Sequence, residues 1–260
     1  DLSDFISSNV KNMLRMFYNC ESLISVKFGY FQTSKVEDMG YIFYGCKLIT
    51  SINLSFMVTS KADLMDYMFY NCENLIYLDL SSFVTAQVTN MEYMFCNCKK
   101  LEYVNLKKAQ ISNNLNKYGD MIENTAKNIV FCVTESQTSR LNSLMSKNSC
   151  STRISDCSSD WRKYQKKIVP YSDICVESCS TTSYKFEYLG KCYSSCPSGT
   201  SANNYICYDC HSDCKECDSD TSYCLSCKDS NKFLDNGKCV SSCSNGAYGY
   251  YTENSNKICC

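Results

Sequence analysis

Residues 1–108 repeat with a period of 26 residues, and this feature constrains the fold more than any other. A unit of one strand and one further segment cannot bury its own apolar face, whereas stacked copies can. The repeat therefore predicts a solenoid in which each period forms one coil. Three kinds of position recur at the interval: Met13, Met39, Met65 and Met91; Cys20, Cys46, Cys72 and Cys98; Phe28, Leu54, Leu80 and Leu106.

Within one period the apolar pattern changes from alternation to steps of three and four residues. Residues 75–80 read L-x-x-L-x-L and end with the alternation of a short strand. Thr85, like Thr33 and Thr59 in the preceding repeats, precedes the second segment and is a candidate helix N-cap. These patterns predict an α/β leucine-rich-repeat solenoid with a parallel sheet. The positions at the spacing of one helix face are Val88, Met91, Met94, Phe95 and Cys98.

The motif M-x-x-M-F-x-x-C-x-x-L-x-x-L-x-L, as in residues 65–80, resembles the BspA-like class of leucine-rich repeats. The resemblance extends over residues 1–108. It implies a surface-exposed or secreted protein, for which adhesion is the usual proposed role.

Residues 109–170 are expected to form the C-terminal cap of the solenoid and a linker, because a repeat array needs atypical terminal coils to hide its last apolar edge. Residues 115–122 suggest a helix, residues 129–133 a buried strand and residues 141–145 a further helix.

Cysteine spacing dominates the last part of the chain, residues 171–260. Sixteen of the 22 cysteines lie from Cys150 onward, a density that predicts disulfides in an oxidising compartment outside the cell. The sequence around Cys192 and Cys196 recurs 47 residues later around Cys239 and Cys243, so two related modules are expected.

From Cys207 the cysteines read C-x2-C-x3-C-x2-C-x6-C-x2-C-x11-C-x3-C, which resembles the furin-like repeat of growth-factor-receptor cysteine-rich domains. Nearest-neighbour pairing suggests Cys132–Cys150 and Cys157–Cys175. The resemblance itself implies Cys179–Cys192, Cys196–Cys207, Cys210–Cys217, Cys214–Cys224, Cys227–Cys239 and Cys243–Cys259.

Zinc is the alternative reading of the paired C-x2-C motifs. The irregular C-x3-C and C-x11-C spacings and the single histidine, His211, favour disulfides, so we expect no metal and no cofactor. Cys96 replaces the tyrosine of the other repeats, and its side chain should face outward. It is a candidate for an intermolecular disulfide, and a partner such as Cys132 is the alternative.

No catalytic constellation is recognisable, and an enzyme is not expected. The balance of 26 basic and 27 acidic residues does not suggest a nucleic-acid partner, and no apolar run is long enough to span a membrane. Function is then expected on the surface. Asn53, in the sequence Asn-Leu-Ser, is a possible glycosylation site.

Aromatic residues recur on both sides of the predicted coils. They suggest either an interaction surface for a protein or glycan, or packing of half-buried rings between coils. The expected interaction residues are Tyr41, Tyr44, Tyr67, Tyr70, Tyr77, Tyr93 and Tyr103.

Two functions follow for a non-catalytic extracellular protein. The chain opens within a repeat, at residues 2–5, and an uncapped coil would invite another copy to stack on it, so that copies assemble into a filament or coat. The alternative is an adhesin or receptor-like ectodomain that binds a protein or glycan.

Overall fold

A computed structural model describes residues 1–107, 109, 115–134, 148, 150–157, 160–244, 247–251 and 257–259. The chain divides into two compact units, Asp1–Lys166 and Lys167–Cys260. The first unit is the expected solenoid with a parallel sheet, and the second is rich in disulfides.

The sheet of the solenoid has four parallel strands in chain order: β1 (Tyr77–Asp79), β2 (Tyr103–Asn105), β3 (Val130–Cys132) and β4 (Thr152–Ile154). Leu78 lies opposite Val104, and Val104 opposite Phe131, so each coil repeats the register of the previous one. The buried strand expected over residues 129–133 is therefore present as β3.

The helix predicted within each repeat is wrong, and the α/β class is not confirmed. The described residues contain no α-helix, and their helical elements are two 3-10 helices, Trp161–Tyr164 and Cys179–Thr181. Turns occupy the second segment of every coil and residues 119–124, which overlap the helix expected over residues 115–122. The helix predicted over residues 141–145 lies outside the described residues.

Alternate residues of the second segment use different hydrogen-bond partners. The Met39 N–H donates to Leu64 O of the next coil, whereas the Tyr44 N–H donates back to Tyr41 O within its own turn. Tyr41 and Gly45 have left-handed backbone angles, with φ of 57° and 72°. An α-helix cannot include such residues at regular intervals, because it requires negative φ throughout.

These consecutive turns nevertheless bury the same positions that a helix would bury. Met39, Ile42, Phe43 and Cys46 all lie in the core. They follow steps of three, one and three residues, which is also the spacing of one helix face. The apolar pattern alone therefore does not distinguish the two backbones.

Two kinds of buried polar side chain tie neighbouring coils together. The Thr59 hydroxyl donates to Val84 O at 3.0 Å and accepts from the Val84 N–H at 2.8 Å. Thr33 makes the same two bonds to Val58, so both threonines bridge coils, and the helix N-cap role predicted from the sequence is wrong. The repeat cysteines are free thiols, of which Cys20 is exposed. The Cys98 thiol donates to Phe69 O at 3.0 Å.

The second unit is built from short strands. A six-stranded sheet has the order β6-β5-β8-β7-β10-β9, followed by a two-stranded sheet, β11-β12, and a four-stranded sheet, β14-β13-β16-β15. The strands are β5 (Lys167–Ile168), β6 (Cys175–Val176), β7 (Phe186–Tyr188), β8 (Lys191–Tyr193), β9 (Thr200–Asn203), β10 (Ile206–Asp209), β11 (Cys214–Cys217), β12 (Cys224–Cys227), β13 (Phe233–Asp235), β14 (Lys238–Val240), β15 (Gly249–Tyr251) and β16 (Lys257–Cys259).

Disulfides take the place of a large apolar core in this unit, and a buried cluster among its described residues is made of cysteines. Six of the bonds are the pairs that the furin-like resemblance implies: Cys179–Cys192, Cys196–Cys207, Cys210–Cys217, Cys214–Cys224, Cys227–Cys239 and Cys243–Cys259.

The two pairs suggested by nearest-neighbour pairing are wrong, because Cys132 bonds to Cys157. Cys132 ends β3 opposite Ile154, the last residue of β4, and Cys157 follows three residues later. Cys150 instead precedes β4, near the other end of the strand pair. Cys150 and Cys175 are both disulfide-bonded.

Candidate interaction surface

The second segments of the coils align their outward residues in two columns, which we call the tyrosine ladder. Each backbone hydrogen bond from one coil to the next keeps the columns in register, as from the Tyr41 N–H to Asp66 O. The first column consists of Arg15, Tyr41, Tyr67, Tyr93 and Asp120, and the second of Tyr18, Tyr44, Tyr70, Cys96 and Glu123.

Tyrosine rings within each column stack face to face. The ring centroids of Tyr41 and Tyr67 are 4.7 Å apart, and those of Tyr67 and Tyr93 are 4.8 Å apart. The second column has the same geometry, with 4.8 Å between the rings of Tyr44 and Tyr70. These rings are half-buried, except that of Tyr18, which is exposed, so packing between coils and exposure to a partner both apply to the ladder.

The first column requires tyrosine in an unfavourable backbone conformation. Tyr41, Tyr67 and Tyr93 have φ of 57°, 53° and 55°, a region that costs about 1–2 kcal/mol per residue for L-amino acids. The N–H group of each donates to the next coil, and each ring stacks on its neighbours. These interactions offset the backbone cost.

Ring stacking decides what the ladder can offer to a ligand. Since the faces of the inner rings lie against each other, the ring edges and phenol groups are the parts left for a partner. The inner rings are therefore unsuited to stacking on a sugar ring, which requires a free aromatic face. They suit a partner that packs against edges and forms hydrogen bonds with hydroxyl groups.

Opposite charges stand at the two ends of the ladder. The Arg15 guanidinium lies 5.3 Å from the ring centroids of both Tyr18 and Tyr41. At the other end Asp120 raises the pKa of Tyr93, and it accepts a hydrogen bond from that phenol. Burial raises the pKa of Tyr67 to about 12. The Tyr67 phenol in the middle of the ladder is therefore neutral at physiological pH.

The strand face differs from what the sequence predicts. Tyr103 was expected to offer contact area, but it is buried, because Trp161 stacks on it with ring centroids 5.2 Å apart. Tyr77 covers its other side at 5.0 Å and remains exposed. Of the two, Tyr77 alone is accessible to a ligand. Trp161 was not among the predicted surface residues. It is the single tryptophan of the chain, and this was the signal in the sequence that could have pointed to it.

Cys96 does not lie as predicted. Its side chain is 3% exposed and its thiol is free, so it is neither an exposed thiol nor the partner of Cys132. A thiol is shorter than a phenol and does not extend past its neighbours. Burial, followed by the charges of Glu123 and Asp120, raises its pKa to about 11. This thiol is therefore unreactive at neutral pH.

Asn53 lies exposed at the end of its strand-forming segment. Its Oδ1 accepts from the Ser55 N–H at 3.0 Å and from the Ser55 hydroxyl at 2.7 Å. Glycosylation at Asn53 stays a prediction.

A polar groove of about 900 Å³ crosses three coils of the solenoid. Thr89 donates to Asp63 Oδ1 at 2.6 Å within it. No sequence motif marks this groove, although polar residues recur there at the 26-residue interval. Its lining residues are Glu37, Asp38, Ser60, Lys61, Asp63, Leu64, Gln87 and Thr89.

The described residues offer neither a cluster of metal ligands nor a helix suited to a membrane. No group of three or more histidine, cysteine, aspartate or glutamate residues there could hold a metal ion. In the same part of the chain, no helix has the length and apolar character that a membrane crossing requires.

Residues 11–130 match the model of a family described as Mycoplasma protein of unknown function, DUF285. No curated protein matches the chain, and no solved structure does. The matched residues are the coils on which the BspA-like resemblance rests, whereas the furin-like region matches no family model. The chain is therefore similar to this family over residues 11–130, which lie in the solenoid unit. Its disulfides are typical of an extracellular or cell-surface location.

Proposed function

We propose that the protein is a non-catalytic structural component of an extracellular surface, and that copies associate by stacking their solenoids into a filament or coat. The observation that supports this function is the apolar surface of the first described coil, residues 1–26. Its apolar side chains are partly or largely exposed, with Ile6 87% and Ile24 68% accessible to solvent. Phe5 and Leu14 are exposed on the same coil.

The backbone of the first coil also favours stacking. In each coil alternate N–H groups donate to the next coil, as the Met13 N–H does to Asp38 O. The matching carbonyl groups of the first coil accept no backbone hydrogen bond from the described residues. These carbonyl groups belong to Asn12, Leu14, Met16 and Tyr18. Backbone carbonyl groups of this kind can accept N–H groups from another chain, as the edge of a sheet does.

Electron microscopy of negatively stained protein and sedimentation over a range of concentrations test this function. We expect filaments or concentration-dependent oligomers, which the double substitution of Ile6→Lys and Ile24→Lys should abolish. Tyr171→Lys is the matched control, because Tyr171 is 99% exposed in the other unit. A monomer at every concentration, or assembly that survives the double substitution, would contradict the proposal.

The polar groove favours adhesion as a second function. Its mixture of charged, hydroxyl and amide side chains suits a polar ligand such as a glycan. Asp63→Ala and Gln87→Ala should reduce attachment of the protein to a glycan array or to cells, with Tyr171→Ala as the control. Unchanged attachment would rule out the groove as the binding site.

A further inference from the structure

The tyrosine ladder is a regular surface with different ends. Its five rungs follow the coil spacing, so the first and the last lie about 19 Å apart at about 4.8 Å per coil. The first rung has the cation Arg15, and the last has the carboxylates of Asp120 and Glu123. The three rungs between them consist of five tyrosines and Cys96.

We propose that the tyrosine ladder binds the same ladder of a second copy of this chain, with the two solenoids side by side and antiparallel. A two-fold axis across the rung of Tyr67 places every rung opposite a rung of the second copy. Arg15 then lies opposite Asp120 of the other copy at both ends of the contact. The interface is isologous and closes with two copies.

Charge complementarity selects this partner and this arrangement. A parallel pair in register would set Arg15 against Arg15 and Asp120 against Asp120. A shift by one coil would move each cation about 4.8 Å away from its carboxylate. The antiparallel pair in register satisfies both ends at once, and opposite charges across an interface fix its register.

The spacing of the rungs supports a second copy as the occupant. A second ladder matches the interval of 4.7–4.8 Å between stacked rings at every rung. The ring faces are already used within each ladder, so edges and phenol groups of one copy meet those of the other. Tyrosine is enriched in protein interfaces because it combines apolar area with a hydrogen-bonding group.

Asp66 opposes the pairing. It lies beside the first column, near enough to Tyr41 to raise the pKa of that phenol, and the two-fold axis brings it towards its own counterpart. Burial raises the pKa of the Asp66 carboxyl. Its Oδ1 is turned towards the backbone at Gly40, where a Cβ would lie 3.3 Å away. Replacing this charge with an amide should therefore strengthen the pair.

Sedimentation equilibrium of charge-reversal variants tests the proposal. The background is the chain with Ile6→Lys and Ile24→Lys, in which stacking through the first coil is blocked. Dimer formation through the tyrosine ladder is therefore measured independently of the proposed stacking into filaments. We expect a monomer–dimer equilibrium in this background. Arg15→Glu alone and Asp120→Arg alone should each weaken the dimer about tenfold, since each reverses two surface charge contacts.

Combining Arg15→Glu with Asp120→Arg should restore the dissociation constant to within about threefold of the background, and Asp66→Asn should lower it. Lys35→Glu is the control, because it makes the same charge change at an exposed site outside the ladder. Circular dichroism checks that each variant is folded. A monomeric background, no effect of the single reversals, or no recovery in the combined variant would overturn the proposal.

Discussion

Replacement of Thr59 by valine isolates the hydrogen bonds that tie one coil to the next. Thr59 is fully buried, and its hydroxyl both donates to Val84 O and accepts from the Val84 N–H. Valine has nearly the shape of threonine, so Thr59→Val removes the two hydrogen bonds without a large cavity. The backbone groups of Val84 then lose their partner.

The structure sets the size of the effect. Each hydrogen bond contributes about 1 kcal/mol net, and an unsatisfied backbone group costs about 1–3 kcal/mol. Because water reaches the partly buried Val84 backbone, we expect a loss of about 2–3 kcal/mol in the free energy of unfolding. Thr59→Ser keeps the hydroxyl and loses a methyl group, for a cost of about 1 kcal/mol.

Denaturant unfolding followed by far-ultraviolet circular dichroism measures these differences. Thr33→Val should repeat the result, because Thr33 makes the same two hydrogen bonds to Val58 one coil earlier. Thr89→Val is the surface control, since the hydrogen bond of Thr89 to Asp63 is exposed, and it should cost less than about 1 kcal/mol. The reasoning fails if Thr59→Val lies within about 0.5 kcal/mol of the unsubstituted chain, or if serine costs as much as valine.

Three further predictions concern the turns, the ladder and the disulfides. Asn71 has φ of 59°, so Asn71→Val should destabilise the fold by about 1–2 kcal/mol, whereas Asn71→Gly should leave the stability nearly unchanged. Denaturant unfolding that ranks the two variants in another order would contradict the turn geometry. The pKa of Tyr67 is raised from 10.0 to about 12, so the phenol stabilises the fold fully below pH 10 and this contribution is lost as the pH rises through 12. In an ultraviolet titration of folded protein, Tyr67→Phe should reduce the number of tyrosines that ionise above pH 10 by one, and a loss of one tyrosine near pH 10 instead would refute it. Cys132 and Cys157 are 25 residues apart, so replacing both by serine should cost about 3–4 kcal/mol in denaturant unfolding, and mapping of unreduced peptides that joins Cys132 to Cys150 would contradict the fold.

The tyrosine ladder shows how much of the candidate site was predictable. The 26-residue interval places Tyr41, Tyr67 and Tyr93 in one column whatever the backbone between them, because stacking follows from the repeat alone. The charged ends of the ladder were harder to predict from the sequence. The last coil is one residue longer, so Asp120 follows Tyr93 by 27 residues instead of 26. The polar groove was not recognised for a different reason: its residues have no motif and are brought together by three coils.

One local signal against the helix was present in the sequence. Asn19, Gly45, Asn71 and Asn97 each precede a repeat cysteine, and all four have left-handed backbone angles. Glycine and asparagine are the residues that tolerate this region best. Their recurrence at one position of every coil is typical of a turn, although the apolar spacing favoured a helix.

The sequence by itself determined the features that depend on regular or short spacing. Period and register of the coils follow from the repeat. Six cysteine pairs of the second unit, each separated by 7–16 residues, follow from the cysteine spacing that resembles the furin-like repeat. The tertiary structure decided which backbone fills the second segment, that Trp161 covers Tyr103, and that Cys132 bonds to Cys157. These outcomes depend on hydrogen bonds to neighbouring coils and on contacts between distant residues, and no pattern within a single repeat specifies either.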